Sequence, residues 1–477
     1  MKLLFALLAL LAITFPLHAE PSATLLQAGE VPKPNVLMIA VDDLSDYISI
    51  LQNHPGIRTP NFDRLAKRSV NFTRAYCAAP LCNPSRVAVC TGMAPYQTGI
   101  YELNDFMMKS TPALAAVGLE EQFKRHGYNT YLTGKYYHGN PVNWWPEKRM
   151  AATWTERKPP FSAHGPILKN GNHVMGPGVH AIGPAPGDME TMPDVAILKN
   201  TQGWLKQKHE KPFFLVHGIS KPHLSFVVPQ RFFDMYPLDS IVLPETPDDD
   251  YSDIPPVVKE KVLHSQDLEH FISIEKSENG WKEVMQAYLA SISFCDWILG
   301  QILDSLEASP YADTTIIVLW SDHGYHIGEK EKLHKRALWS QSSRTPFLIS
   351  LPDMSKTGRN CAAPVSLMDI YPTLNEICGL DQKVPQQLAG HSLAPLLENP
   401  EADWPHVAVT SHAKGNAAVT DARYHYIRYL DGSEELYDHQ TDPREYRNIA
   451  NDPAMRATMG KLATSLPQKW IGSGGKQ

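Results

Sequence analysis

The sequence contains little cysteine and has no excess of positive charge. Six cysteines in 477 residues are too few and too scattered for a disulfide framework, and no zinc-type Cys-x-x-Cys pair occurs among them. Cys361 and Cys378 are candidates for one disulfide in an oxidising compartment, although two free buried thiols are at least as good an interpretation. The net charge of −7 argues against nucleic-acid binding, so an anionic substrate would need a local basic pocket.

Beyond the N-terminus, we find no apolar run long enough to cross a bilayer. Residues 1–19 have the pattern of a secretory signal peptide, with Lys2 as the charged start, an apolar stretch over 3–15 and a plausible cleavage site before Glu20. A membrane anchor is the alternative, but the apolar run is short for a span. The pattern therefore predicts an exported protein without a membrane span, either periplasmic or secreted.

Buried-strand patterns alternate with helical patterns along most of the chain. The continuous apolar runs of strand length lie at 35–41, 211–218, 314–320 and 346–351, and residues 281–306 have the spacing of a long amphipathic helix. This alternation predicts an α/β fold with a large, mostly parallel sheet flanked by helices. Short alternating strands after residue 400 predict a smaller antiparallel sheet. We therefore divide the mature chain into a catalytic domain, 20–400, and a C-terminal subdomain, 401–477.

Polar residues follow directly after several predicted strands. In open parallel sheets, ligands bind beyond the carboxyl ends of the strands, so these residues are expected to form one composite site. Asp42 and Asp43 place like charges side by side, which is unfavourable unless a cation neutralises them. Asp322 and His323 follow another strand, which favours a shared metal ion over a solvated turn. Three carboxylates favour Ca²⁺ or Mg²⁺, although a histidine ligand is less typical of calcium.

The stretch from Cys82 to Gly92 has the pattern of a helix start. Pro84 fits the first turn of a helix, and anions collect at a helix N-terminus. A lone cysteine is usually an inert buried thiol, but this one is followed at short range by Arg86. Several cationic or titratable residues on loops predict an anion-binding and proton-transfer set. They are Arg86, Lys135, His138, His223 and Lys335.

These motifs resemble, in order and approximate spacing, those of the type I (formylglycine-dependent) sulfatases of the alkaline-phosphatase-like superfamily. The resemblance is closest to the iduronate-2-sulfatase and choline-sulfatase branch and runs from about Asn35 to the C-terminal tail. The motifs are Asp42-Asp43, Cys82-x-Pro-Ser-Arg86-x-x-x-x-Thr91-Gly92, Gly134-Lys135-x-x-His138, Lys221-Pro-His223, Asp322-His323-Gly324, Gly328-Glu329 and Lys335. Two departures are Val89, where the signature usually has leucine, and the Lys-x-x-His spacing, where some sulfatases have Lys-x-His.

The resemblance implies that Cys82 is oxidised to formylglycine (3-oxoalanine) by a formylglycine-generating enzyme or an anaerobic sulfatase-maturating enzyme. The hydrated aldehyde would attack sulfur with the aid of a bound Ca²⁺, or alternatively Mg²⁺. The residues implied to hold this ion are Asp42, Asp43, residue 82, Asp322 and His323. Arg86, Lys135 and Lys335 would stabilise the charge on the sulfate oxygens. His223 would protonate the leaving alcohol, and His138 would take a proton from the second hydroxyl to expel sulfate.

The sequence therefore predicts a sulfatase that acts on a sulfated polysaccharide or oligosaccharide. The alternatives are a phosphodiesterase or phosphonate hydrolase on the same scaffold, or an inactive relative that binds sulfated glycans. An algal polysaccharide, a glycosaminoglycan and a small sulfate ester all remain open as substrates. Asn104, Tyr325 and His412 are our candidates for substrate contacts on the rim of the site. Other candidates on probable rim loops are Trp144, Trp145, His164, His173 and His180.

Overall fold

The structure is a computed structural model that describes residues 33–473, apart from 140–142, 162–164, 166–173, 176–179, 264–273, 277, 353–357 and 382. The predicted signal peptide lies outside the described residues. The strands of the main sheet are β1 (Asn35–Asp42), β2 (Val70–Phe72), β3 (Asn129–Gly134), β4 (Glu156–Lys158), β5 (Phe213–Pro222), β6 (Thr315–Ser321), β7 (Phe347–Ser350) and β8 (Arg359–Cys361). The longer helices are α1 (Pro60–Ala66), α2 (Cys82–Thr91), α3 (Leu119–Arg125), α4 (Glu147–Thr153), α5 (Pro193–Leu205), α6 (Pro256–Leu263), α7 (Gly280–Glu307), α8 (Ile370–Ile377) and α9 (Arg456–Ala463).

The main sheet has the strand order β8-β2-β7-β6-β1-β5-β3-β4. The central strand β1 pairs in parallel with β6 on one side and with β5 on the other. β7 runs antiparallel to its neighbours β6 and β2, and the other pairings of this sheet are parallel. The prediction of an α/β fold with a mostly parallel sheet is confirmed, with β7 as the exception.

The central strand is apolar from Val36 to Val41 because helices cover both faces of the sheet. Leu37 and Ile39 pack on the face covered by α5 and α7. Val36 and Met38 pack on the opposite face, together with side chains of α2, α3 and α8. This two-sided packing buries the strand completely and fixes the position of the residues that follow it.

Helix α7 is, among the described residues, the one helix with the length and apolar composition of a membrane span. Most of it is buried inside the protein, where it packs against β5 and α5. It is therefore the core helix that the amphipathic spacing predicts.

A second, smaller sheet lies near the C-terminus. Its four antiparallel strands are β9 (Ala408–Ser411), β10 (Ala417–Thr420), β11 (Tyr424–Arg428) and β12 (Glu434–Asp438). The predicted antiparallel sheet after residue 400 is thus confirmed. Thr410 Oγ1 donates to the carbonyl of Cys77 (2.7 Å), and Ser411 N donates to that of Ala78 (2.9 Å). These two bonds attach the sheet to the segment that leads into Cys82.

Short elements complete the described chain. The shorter α-helices are Pro95–Thr98, Thr111–Ala115, Gln230–Phe233, Ser340–Ser343 and Ala394–Glu398. The shorter strands are Ala75–Tyr76, Val174–Met175, His180–Ala181, Gly183–Pro184, Val227–Val228, His326–Ile327, Leu333–His334, Arg344–Thr345 and Val365–Ser366. All six cysteines are free and buried. Cys361 and Cys378 accordingly do not form a disulfide in this structure.

Candidate active site

Four neighbouring strands of the main sheet bring polar residues to one edge. These residues are Asp42 and Asp43 at the end of β1, Lys135 after β3, His223 after β5, and Asp322 and His323 after β6. The backbone amide of Asp43 donates to Asp322 Oδ1 (3.1 Å), and Tyr288 Oη donates to the carbonyl of Asp43 (2.9 Å). The carboxyl groups from β1 and β6 are therefore held together at the point where the apolar strands end.

The guanidinium group of Arg86 lies at the centre of this edge and is fully buried. Its Nε donates to Asp322 Oδ2 (2.9 Å), and its Nη2 donates to Asp42 Oδ1 (3.1 Å) and to the carbonyl of Val41 (3.3 Å). Its Nη1 donates to the carbonyls of Lys135 (2.6 Å) and Tyr136 (3.1 Å). All five N–H groups are thus engaged. In this arrangement Arg86 orients the carboxylates, and all of its N–H groups donate to acceptors of the protein.

Cys82 is the first residue of α2, and only 1 % of it is exposed. Its Sγ lies 3.3 Å from His323 Nε2 and 3.7 Å from Asp43 Oδ1. Lys335 Nζ donates to both Cys82 Sγ (3.2 Å) and Asp43 Oδ1 (2.6 Å), and Lys135 Nζ donates to Asp42. The structure therefore brings the predicted nucleophile, both lysines and the predicted metal ligands into one cluster.

The charges of this cluster shift one another's protonation. Burial alone would raise the pKa of the Cys82 thiol, but Lys335, Lys135 and His323 hold it well below its usual value. Burial raises the pKa of Asp322 to about 7, because Arg86 offsets only part of the desolvation. The pKa of His323 rises to about 9: burial lowers it, but Asp322 and the Cys82 sulfur raise it more. The cations of the cluster thus favour the ionised forms of Cys82 and Asp42, whereas burial keeps the pKa of Asp322 high.

The donor atoms of this cluster fit a divalent cation. One ligand atom from each of Asp43, Cys82, Asp322 and His323 lies within 4.8 Å of the others. Asp42, Asp43 and His223 form an overlapping group that meets the same limit. Carboxylate oxygens are the preferred ligands of hard cations such as Ca²⁺ and Mg²⁺. A cation there would favour the ionised form of Asp322, whose pKa burial raises.

Two further histidines face the nucleophile. His223 Nε2 lies 3.8 Å from Asp43 Oδ2, and 18 % of its side chain is exposed. The half-buried His138 lies beside Cys82 and helps to lower the pKa of its thiol. The structure therefore places one titratable imidazole at the opening of the site and a second beside the thiol.

The predicted rim residues occupy different environments. Tyr325 is 1 % exposed, and its ring packs against Phe226 and Tyr288, so the prediction of an exposed substrate contact is wrong for this residue. Trp144 and Trp145 are likewise buried in the core, because their rings fill the space beside α4. His164 and His173 lie outside the described residues, and His180 lies in the short strand His180–Ala181.

Asn104 and His412 keep positions compatible with substrate contact. Asn104 is exposed in the turn after Glu102, and Glu102 pairs with Arg336 (2.9 Å). His412 and Arg336 both line a cavity of about 420 Å³. The backbone amide of Arg336 donates to the carbonyl of Pro80 (3.2 Å), two residues before Cys82. This cavity is therefore next to the segment that carries the nucleophile.

Sequence reasoning did not identify two residues that hold the site together. Ser85 Oγ donates to the carbonyl of Asp322 (2.5 Å), which joins α2 to the end of β6. Tyr288 on α7 accepts from Ser45 N (3.0 Å) and donates to Asp43. Ser85 stands inside the Cys82-x-Pro-Ser-Arg86 motif, and that motif is the signal by which it can be found. Tyr288 is one aromatic residue of a long apolar helix and carries no such signal.

The mostly parallel sheet with acidic, basic and thiol side chains at its carboxyl edge has the alkaline-phosphatase-like fold. Two family models match the sequence. Residues 34–380 match the sulfatase family, and residues 328–470 match the C-terminal region of N-sulphoglucosamine sulphohydrolase. The chain belongs to the sulfatase family. It is accordingly a sulfuric ester hydrolase, as the sequence motifs predict.

Similar proteins cover nearly the whole chain. A sulfatase of Formosa agariphila is 39 % identical over 92 % of this chain and 87 % of its own length. An ulvan-active sulfatase of the same organism is 27 % identical over 96 % of this chain and 86 % of its own. Choline-sulfatase of Rhizobium meliloti is 28 % identical over 88 % and 83 %. Among solved structures, phosphonate monoester hydrolase of Agrobacterium radiobacter has the same fold, with a TM-score of 0.72, 23 % identity and coverage of 90 % and 94 %.

Proposed function

We propose that this protein is an exported sulfatase that removes O-sulfate groups from a sulfated polysaccharide or oligosaccharide. The observation that carries the proposal is the position of Cys82, whose buried sulfur touches Lys335, His323 and Asp43 at the carboxyl edge of the sheet. An inert structural thiol has no need of these charged neighbours. The similarity to an ulvan-active sulfatase supports a sulfated carbohydrate as the substrate, and the leader pattern of residues 1–19 supports export.

Two groups that the family implies would complete the chemistry. Oxidation of Cys82 to formylglycine, by a dedicated maturation enzyme, would supply a hydrated aldehyde as the nucleophile in place of a thiol. A divalent cation, Ca²⁺ in our assignment, held by Asp42, Asp43, Asp322 and His323 would supply positive charge to the sulfuryl group. The fit of these residues rests on their carboxylate oxygens and on the short distances between their ligand atoms.

The remaining residues have separate tasks. Lys335 lies closest to residue 82 and carries a positive charge that can attract the sulfate oxygens. Lys135 neutralises Asp42 and adds to the same positive potential. Arg86 holds Asp42 and Asp322 in place and acts on the sulfate only through them.

Two histidines transfer protons in this proposal, each at a different step. His223 is partly exposed at the mouth of the site, so it donates a proton to the leaving alcohol oxygen. His138 contacts the side chain of residue 82 and accepts a proton from the nucleophile when sulfate is released. A base beside the nucleophile and an acid near the entrance are the positions that these two roles require.

Purified protein tests the proposal directly. We expect mass spectrometry to find formylglycine at position 82, and we expect the protein to hydrolyse a sulfate ester in preference to a phosphate diester and a phosphonate ester tested beside it. The Cys82→Ser variant should fold normally and lose turnover, whereas Cys378→Ser, a buried free thiol elsewhere, should retain activity. Full turnover by Cys82→Ser, or only unmodified cysteine in active protein, would refute the mechanism.

A panel of defined sulfated oligosaccharides identifies the substrate. Release of sulfate from ulvan-type, glycosaminoglycan and small sulfate esters is measured side by side with equal enzyme. Retention of a sulfated glycan without sulfate release would instead indicate a binding protein. N-terminal sequencing of the protein recovered outside the cytoplasm should begin at Glu20 if the leader is removed as proposed.

A further inference from the structure

A buried carboxyl group lies beneath the loop that follows β3 and has no role in the chemistry proposed above. Glu120 on α3 is fully buried. Its carboxyl oxygens accept hydrogen bonds from Tyr137 Oη (2.6 Å), Cys90 Sγ (3.2 and 3.3 Å), Trp145 Nε1 (3.3 Å) and Tyr136 Oη (3.4 Å). All four donors are neutral side chains. The arrangement therefore differs from an ion pair and forms a cage of uncharged donors around one acidic side chain.

Three of the four donors belong to the two segments that carry the reactive residues, and the fourth, Trp145, lies just before α4. Tyr136 and Tyr137 stand between Lys135 and His138, so half of the cage is the loop itself. Cys90 lies on α2, the helix that begins at Cys82. Glu120 consequently hydrogen-bonds both the nucleophile helix and the loop.

The same loop is held from its other side. Arg86 Nη1 donates to the carbonyls of Lys135 and Tyr136, and Trp144 Nε1 donates to the carbonyl of His138 (2.9 Å). Trp154 Nε1 donates to Tyr137 Oη (3.1 Å). The side chains of Tyr136 and Tyr137 are almost completely buried. A buried hydroxyl group without a hydrogen-bond partner is unfavourable. Displacement of the loop would break the bonds to Glu120, so the cage favours a single loop conformation.

We propose that Glu120 is a positioning residue, which acts through Tyr136 and Tyr137 to fix Lys135 and His138 relative to Cys82. The proposal rests on the function proposed above, because it assumes that these two residues act in catalysis. Glu120 therefore acts indirectly, through the loop that carries Lys135 and His138. Loss of the cage should misplace His138 during proton transfer while the binding of substrate is largely retained.

The test compares Glu120→Gln with Glu121→Gln in otherwise intact, formylglycine-containing enzyme. Glu121 is the next residue on α3, and its carboxyl group pairs with Arg149 (2.5 Å) and Arg125 (2.6 Å) instead of with the four cage donors. Glutamine keeps the shape of the Glu120 side chain but replaces one acceptor oxygen with an N–H₂ group. That group faces other donors, so the hydrogen bonds to that oxygen are lost. For Glu120→Gln we expect kcat to fall about 10- to 100-fold with little change in KM, since small misplacements of catalytic groups have effects of that order. The limb of the pH–rate profile that reports the proton acceptor should also shift, and Glu121→Gln should show neither effect.

A second variant decides the question if Glu120→Gln does not fold. Tyr137→Phe removes a single hydroxyl from the cage and leaves the ring in place. It should lower kcat in the same direction, and hydrogen–deuterium exchange should increase in residues 134–138 but not in the main sheet. A lower melting temperature with unchanged kcat, pH profile and local exchange in both variants would overturn the proposal. If the wild-type enzyme hydrolyses no sulfate ester, the proposed function fails instead, and the exchange measurement still reports whether the cage fixes the loop.

Discussion

Replacement of Arg86 by lysine tests the buried charge arrangement at the carboxyl edge of the sheet. The guanidinium makes five hydrogen bonds, two of them to the carboxylates of Asp42 and Asp322. A lysine keeps the positive charge but has three donors on a single nitrogen. At least two of the five bonds are therefore lost, and their acceptors stay buried.

The expected loss of stability follows from this count. Hydrogen bonds to charged groups contribute about 1.5–3 kcal/mol each, so two lost bonds lower the free energy of unfolding by about 3–6 kcal/mol. An unfolding entropy of roughly 2.1 cal/mol/K per residue gives about 1 kcal/mol/K for a chain of 477 residues. The melting temperature should therefore fall by about 3–6 °C on these figures.

Arg64 provides a matched control for the same substitution. It also contacts two carboxylates, those of Asp304 (2.6 Å) and Glu307 (2.5 Å), but 35 % of its side chain is exposed. Exposed pairs contribute about 0.2–1 kcal/mol, so Arg64→Lys should lower the melting temperature by roughly 1 °C or less. Both variants are melted under identical conditions by circular dichroism or calorimetry. Equal shifts for the two variants would refute the reasoning that burial and the five-bond arrangement make Arg86 exceptional.

Three further predictions concern proton transfer, pH and metal. His223→Gln should lower kcat more for an alkyl sulfate than for 4-nitrophenyl sulfate, because nitrophenolate leaves without a proton; equal losses would exclude a general acid. Burial alone would raise the pKa of Glu445, but His425 and His439 lower it from 4.5 to about 2. Its contribution to stability is therefore complete above about pH 4.5 and is lost as the pH falls towards 2, so Glu445→Gln should destabilise strongly near neutral pH and weakly in acid, as measured by urea unfolding. Chelation of divalent cations should lower activity and the melting temperature, and Ca²⁺ should restore both; a melting temperature indifferent to chelation would contradict a bound cation.

The main sheet was predictable because its strands are buried on both faces. Continuous apolar runs such as 35–41 and 314–320 have no other stable location in a chain of this composition, and the polar residues after them mark the carboxyl edge. The direction of β7 was not predictable, because its three apolar residues and one serine are buried equally well in either orientation. Pairing direction depends on the connections between strands, which the local pattern does not contain.

The site residues were predictable as a set but not in their contacts. An arginine in this motif is typical of a sulfate ligand. The five hydrogen bonds of Arg86 to the protein form only when the ends of β1, β3 and β6 come together in the fold. Tyr325 and Trp144 follow polar or glycine-containing segments typical of rims, yet their rings are large enough to be drawn into the core. Glu120 has the sequence context of an exposed helical glutamate, and its burial depends on donors from three other segments.

The almost complete burial of Cys82 has a consequence for biosynthesis. A modifying enzyme has to hold the thiol in its own active site, and a side chain that is 1 % exposed offers no access in the folded protein. The segment before Cys82 is hydrogen-bonded to Thr410 and Ser411, which leave the ribosome more than three hundred residues after it. If Cys82 is oxidised as proposed, synthesis of the C-terminal sheet would set the end of the interval in which this oxidation can take place. A cell that delays the modifying enzyme beyond that interval would accumulate a stable, correctly folded and inactive protein.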